Sequence, residues 1–522
     1  MAKPTDSFGQ RPDVEYFHGD MDYIRSWHDH MRKAHPDAFC IDDITWNDLD
    51  MDRLFRRINR GATVSGEEVL YHLLRAPATD GAEWRRRRDL ISLMEDEDRR
   101  RGVSRALSGL NCARRAGPCT PDERAARRSY LALYIALALL LPLAILSFVF
   151  LGKNAVPAIL GVVIVNSMTH EYMKRHLAGD LDAVNYTVSM ARAVRRLKKL
   201  NDTALDGHLA PAYAALARMK TVLRIGFAVP ADGGGSIPDL LFTVTLLDLI
   251  AFERLKRIFL RQREDVLALH DALGRVDAAI SVASWRRTLP VWAEPELDFS
   301  QNAPRAVNAE GIVHPLLDHP VPNDLCAARS LLVTGSNASG KSTYLKAVML
   351  CALLGQSVCA CPASAYRAPA FLIFTSMTLK DDLLAGESYY IAEMRAVKRI
   401  LDHLIGPLPV LCAVDEVLRG TNTVERIAAS CEILAALDRA GALCVAATHD
   451  IELCGLLNGQ YENMHFEERI EDGRMLFDYR IRPGKAVTRN AISLLKVIGL
   501  DQAIIDGAHA RAERYLETGL WS

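Results

Sequence analysis

Gly335-Ser336-Asn337-Ala338-Ser339-Gly340-Lys341-Ser342 fits the spacing G-x-x-x-x-G-K-[ST], whose parts suit the holding of phosphate. Glycines let backbone N–H groups face the oxygens, and a helix opening at the end of the run adds its partial positive charge. Lys341 would reach the β- and γ-phosphates, and the Ser342 hydroxyl would coordinate Mg²⁺. Thr343 begins the helix and closes the nucleotide-binding set. The apolar run Ser330-Leu331-Leu332-Val333 supplies the strand that must precede such a loop.

Pro409-Val410-Leu411-Cys412-Ala413-Val414 is a second apolar strand, ending in Asp415-Glu416. Asp415 stands where a strand end offers a carboxylate to Mg²⁺, and Glu416 can hold and deprotonate an attacking water. A third strand, Leu443-Cys444-Val445-Ala446-Ala447-Thr448, ends in His449, which suits a sensor of the γ-phosphate. Strands alternating with helices after residue 300 predict an α/β unit with a largely parallel sheet.

The chain holds 522 residues, 50% hydrophobic and 24% charged, with a formal net charge of -1. It can bury large cores and is not disordered, and it lacks the global basicity of a simple nucleic-acid protein. Eleven scattered cysteines without C-x-x-C spacing fit reduced thiols, and the C-x-C pair Cys359/Cys361 is too close for most metal knuckles. Met1 to Tyr16 is polar, without the apolar segment of a signal peptide.

Residues 129–151 form an uncharged apolar run, and residues 155–169 form another after Gly152-Lys153-Asn154. About 20 helical residues cross a bilayer, so the two read as a transmembrane hairpin over 129–172. Arginines before it and Lys174-Arg175-His176 after it put both outer ends in the cytoplasm. A buried hairpin in a soluble domain is the other reading. Leu240 to Phe252 is shorter, contains Asp248, and reads as a core or partner-facing helix. Gly233-Gly234-Gly235 marks a loop, and Pro290, Pro295 and Pro304 mark a linker. Between Arg85 and Arg128, 13 arginines face seven acids. This surplus leads into the apolar run, which favours anionic lipid over nucleic acid.

The series TGSNASGKST, FTSMTLKDDLLAGESYYIAEM, VDEVLRGTNT and ATHD resembles the MutS ATPase domain over about residues 305–515. That resemblance implies an ABC-type P-loop fold working as a homodimer, with ATP and Mg²⁺. Asn337 and Ser342 would lie in the pocket, and His314-Pro315 near the adenine. Asp382 to Met394 looks like the family's signature segment, in which Ser388 would reach the γ-phosphate of the other subunit. Arg419-Gly420-Thr421 resembles a loop facing that subunit, and His449 the switch histidine. Lys341, Glu416, His449 and Ser388 would then carry the chemistry.

Asp43 to Pro77, with Thr63, Gly66, Leu70 and Leu74, is similar to the start of the family's core or lever region, and Gly274 to Ala278 to its returning helix. The implied order is an amino-terminal segment (1–42), a helical lever (43–128 and 173–300) interrupted by the transmembrane hairpin (129–172), and the ATPase domain (301–522). A lever-like segment by residue 43 leaves no room before it for mismatch-reading and connector domains, and no Phe-x-Glu wedge occurs in the first 42 residues. Phe466-Glu467-Glu468 reads as a strand edge, and Leu418 replaces a usual glycine. DNA stays open as a partner, beside a membrane mechanoenzyme or signalling ATPase with a protein or lipid client; an ABC transporter subunit fits poorly.

Overall fold

The computed structural model describes residues 8–110, 129–226, 237–377, 389–486 and 500–518, save 13, 15, 17–18, 61, 302, 337, 405, 407, 419–421 and 472–473. The chain divides into two compact units. The first comprises Met1–Ala38, Phe55–Leu73 and Arg86–Thr288, the second Phe39–Leu54, Leu74–Arg85 and Leu289–Ser522. This differs from the expected division, in which residues 43–128 form one helical piece and the break falls at 300. Asp48 and Trp84 are the reason. The Asp48 carboxylate accepts from Thr375 Oγ1 (2.7 Å) and the Met377 N–H (2.9 Å), and Trp84 Nε1 donates to Gly355 O at 2.9 Å. Pairings across such sequence distances leave no mark in local composition.

The first unit is helical. Its elements include α1 (Asp20–Ala34), α2 (Val64–Arg75), α3 (Glu97–Leu107), α4 (Leu131–Leu151), α5 (Val156–His176), α6 (Ala178–Lys198), α7 (Thr203–Arg218), α8 (Ile237–Thr245), α9 (Leu247–Arg261) and α10 (Arg263–Arg286). Capping follows chemistry: Asp96 accepts from Arg99 N at the start of α3, and Asp202 from Ala204 N at the start of α7. Val266, Leu269, Leu273, Val276 and Ile280 recur at helical spacing in α10 and are buried. The segments singled out around residues 63–77 and 274–278 meet here. Thr63 Oγ1 donates to Asp277 Oδ2 at 2.6 Å, and a Cβ on Gly274 would stand 2.4 Å from Val69 Cγ2. Close helix packing therefore requires glycine at 274.

α4 and α5 fold back on each other as a helical hairpin. A 3₁₀ turn, Gly152–Ala155, joins them, and Asn166 Nδ2 reaches Leu137 O at 3.4 Å across the pair. Pro157 sits in the first turn of α5, where a missing N–H costs nothing. Leu131–His176 is long and apolar enough to cross a membrane, and its apolar stretch is not buried. Leu143, Ile145, Val149 and Phe150 all face outward.

The second unit is α/β. Six strands lie in the order β10-β9-β4-β8-β7-β6: β4 (Ser330–Thr334), β6 (Leu372–Ser376), β7 (Val410–Asp415), β8 (Leu443–Thr448), β9 (Tyr461–Glu471) and β10 (Arg474–Pro483). All neighbours are parallel except β9 and β10. β4, β7 and β8 are buried along their whole length, as central parallel strands must be. Around them pack α11 (Lys341–Val358), α12 (Tyr389–Asp402) and α13 (Thr423–Arg439). A second sheet runs β1 (Glu296–Asp298), β5 (Ala365–Pro369), β2 (Val307–Ile312) and β3 (Asn323–Ala327). The proline-marked stretch is thus no free linker: β1 pairs with β5, and Ala293 bridges to Cys361. Pro295 stands just before β1 and takes no part in its ladder.

Candidate functional site

The phosphate-type loop lies between β4 and α11, at the carboxyl ends of the parallel strands. Gly335 and Gly340 have φ of +146° and +107°, values that favour glycine. A Cβ on Gly340 would also crowd the Tyr479 ring at 3.2 Å. Lys341 Nζ donates to Gly335 O (2.7 Å) and Ser336 O (2.8 Å), and stands 3.5 Å from His449 Nε2. Ser339 is buried, Ala338 has φ +68°, and Asn337 lies outside the described residues.

β8 pairs with β4, and β7 with β8, so their carboxyl ends bring the histidine and the acidic pair to that loop. Ser342 Oγ donates to Asp415 Oδ2 at 2.5 Å, and His449 Nε2 lies 2.7 Å from Glu416 Oε1. Glu416 takes a left-handed backbone, φ +55°, with its N–H bonded to Ala447 O. A strained strand end of this kind is where a side chain is aimed rather than merely packed. Arg426 in α13 holds Asp450 through two bonds of 2.9 and 2.6 Å, which keep the guanidinium above its ordinary pKa. The hydroxyl and carboxylate of Ser342 and Asp415 make an oxygen set suited to a hard divalent cation.

A cavity of about 660 Å³ opens beside the loop, within the range of nucleotide-sized pockets. Ser336, Gly340, Lys341, Ser342 and Glu416 line it, together with His314 and Leu317. Two contributors escaped the sequence reading. Tyr479 lines the same cavity, held by Asn323 Nδ2 on its carbonyl at 2.9 Å. Glu468 pairs with the Ser336 hydroxyl. Both come from the β9–β10 ribbon, and β9 is an inner strand rather than an edge. No local motif marks them.

Leu418 shows why glycine suits its position: its φ is +61°. The leucine side chain is buried among Leu332, Val414 and Leu434, and its N–H donates to the buried Glu393 carboxylate at 2.6 Å. Glu393 belongs to the signature-like segment, so α12 and the loop after the acidic pair are tied directly. Ser388 and Arg419-Gly420-Thr421 lie outside the described residues.

The model of MutS domain V, a family description, matches residues 331–516. Over these residues the chain is similar to MutS domain V. The matched residues lie in the α/β unit. The chain is 34% identical over 202 residues to the DNA mismatch repair protein MutS of Thermus thermophilus, covering 38% of this chain and 25% of that protein. It is 32% identical over 246 residues to the protein of the same name from Bacillus pumilus, at 45% and 28% coverage. It is 31% identical over 281 residues to DNA mismatch repair protein MutS 2 of Haloarcula marismortui, at 47% and 28% coverage. The chain thus spans about a quarter of the length of the curated relatives it matches.

In the arginine-rich stretch, several of the described arginines are engaged with their own surroundings. Arg88 bonds Asp89 at 2.8 Å and Arg99 bonds Asp202 at 2.5 Å. Arg101 pairs with Glu97, and Arg100 donates to the carbonyls of Met94 and Glu95. Residues 111–128 lie outside the described ones. Among the described residues the cysteines are thiols without disulfide bonds, and no group of metal-ligating side chains occurs.

Proposed function

We propose that this protein is a membrane-anchored ATPase of the MutS type, which binds and hydrolyses ATP where the α/β units of two copies meet. The observation that carries this reading is the convergence of Lys341, Ser342, Asp415, Glu416 and His449 at one end of one sheet. Lys341 and the loop N–H groups would neutralise the phosphates of ATP, and Ser342 with Asp415 would hold Mg²⁺, which when bound offsets charge on the transferring phosphoryl group. Glu416 would orient a water and take its proton, with His449 fixing the carboxylate from the adjacent strand. Ser388 of a second copy would complete each site. Opening and closing of that pair would move the helical unit.

The outward-facing apolar hairpin supports anchoring in the cytoplasmic membrane, with both other regions on the cytoplasmic side. The names of the relatives support a role on DNA. The internal ion pairs of the arginine-rich stretch favour a second reading, a membrane mechanoenzyme or signalling ATPase with a protein or lipid client.

ATP turnover of the full chain in lipid nanodiscs tests these together, with Lys341→Ala as the blank and duplex, mismatched or branched DNA added. Turnover lost in Lys341→Ala is expected, and turnover equal to wild type would remove the ATPase assignment. Several-fold stimulation that fades with salt would establish the DNA role. Indifference to every DNA would establish the second reading.

A further inference from the structure

The helical unit contains a broken helix beside the hairpin. α8 and α9 meet at Leu246, a non-glycine residue with φ +55°. Leu246 and Leu249 are buried with Tyr134 of α4, and Leu137, Met173 and Ile250 pack against them. Leu240 and Leu241, by contrast, are 69% and 60% exposed, continuing the outward apolar surface of the hairpin.

Polar contacts fix the depth of this break. Arg257 of α9 donates to Ser129 Oγ, at the start of the first apolar run, at 2.7 Å. At the same level Lys256 lies 3.8 Å from Asp180 of α6. Nine residues further in, Asp248 meets His170 Nε2 at 2.7 Å. Val244 O accepts from Asn166 Nδ2 at 2.8 Å, and the same amide group reaches Leu137 O. Leu137 is eight residues beyond Ser129, or about 12 Å of helix rise. The break therefore sits well inside the end of the hairpin marked by Ser129. From that depth about 18 Å of the roughly 30 Å of hydrocarbon remain, and α8, with nine residues, extends only about 13 Å, short of the far side.

We propose that Ile237–Leu249 is a third membrane-embedded element, re-entrant from the cytoplasmic leaflet, whose partner is the acyl-chain region of the bilayer. This rests on the hairpin lying in that bilayer. A helix break there leaves carbonyls without intrahelical partners, which hydrocarbon does not tolerate unless the protein supplies donors. Asn166 supplies one to Val244, and His170 satisfies Asp248. This gives a purpose to Asn166 and His170, two polar side chains of α5 that are buried.

Tryptophan quenching by brominated lipid tests the proposal. The six native tryptophans stand at 27, 46, 84, 285, 292 and 521, so none lies within the proposed membrane elements. Leu241→Trp and a control, Leu143→Trp at mid-hairpin, would be placed in nanodiscs of phosphatidylcholine brominated at acyl carbons 6,7 or 11,12. The added Leu241→Trp emission should fall at least twofold, more with the shallow bromines. Leu143→Trp should respond more to the deep ones. Quenching of Leu143→Trp alone would overturn the re-entrant element and leave the anchor standing. Quenching of neither would overturn both. Adding Asn166→Leu should reduce the quenching at Leu241→Trp and leave Leu143→Trp unchanged. Unaltered quenching at both positions would remove Asn166 from its capping role.

Discussion

Glu416 and His449, at the ends of neighbouring strands β7 and β8, face each other with Oε1 and Nε2 2.7 Å apart. The carboxylate is thus held by a group from another strand, and its backbone sits in a strained turn. Glu416→Gln should keep ATP binding and lose at least about a hundredfold in kcat. Binding of a fluorescent ATP analogue beside steady-state turnover checks this. Turnover near wild type would move the base assignment elsewhere.

His449→Ala removes the partner without removing the base. A fall of about tenfold in kcat with little change in KM is expected, about 1.4 kcal/mol of barrier. A raised KM at unchanged kcat would make His449 a binding residue only.

Ser342→Ala deletes the hydroxyl that meets Asp415. The Mg²⁺ concentration for half-maximal turnover should rise roughly tenfold, read from a metal titration at saturating ATP. An unchanged midpoint would separate Ser342 from the metal.

At Leu418 two effects oppose each other. A left-handed backbone costs a leucine about 1–2 kcal/mol, while truncating a buried leucine costs about 2–5 kcal/mol. Packing outweighs strain, so Leu418→Gly should destabilise the α/β unit by about 2 kcal/mol in a denaturant titration. A stabilised variant would show that strain dominates.

Asp277 is fully buried, and burial pushes its carboxyl up to about 6 despite the Thr63 hydrogen bonds. The ordinary value is 3.8, so between about pH 4 and 6 the folded protein holds a proton that the unfolded chain has released. Stability then falls as pH rises through that window, and the loss is complete above it. Asp277→Asn should raise Tm at pH 7.5 by several degrees and change little at pH 4.5, from melting curves at both values. An equal shift at both would exclude ionisation as the cause.

What could be read from the sequence follows how locally each feature is encoded. The loop at 335–343, the acidic pair and His449 stand within short segments whose flanking strands are apolar and buried, so spacing alone brings out their chemistry. Thr63, Gly66, Gly274 and Asp277 could be singled out as two segments, yet the bond joining them spans 214 residues. Tyr479 and Glu468 reach the pocket only through the β9–β10 ribbon, which no motif announces. The prolines at 290, 295 and 304 suggest a linker because proline breaks local structure, whereas β1 pairs with a strand some 70 residues later. The apolar stretch 240–252 reads as one helix, but Leu246 divides it through its backbone conformation.

The bond between Asp48 and Thr375 also sets a timetable. A ribosome adding about 5–20 residues per second releases Asp48 roughly 15–65 s before its partner, 327 positions later. For that interval Trp46 and Leu49, buried in the finished protein, have none of strand β6 to cover them. The apolar hairpin emerges within the same interval. The α/β unit can therefore close only after translation has passed the apolar hairpin, so the loop at 335–343 gains its finished surroundings after that hairpin has left the ribosome.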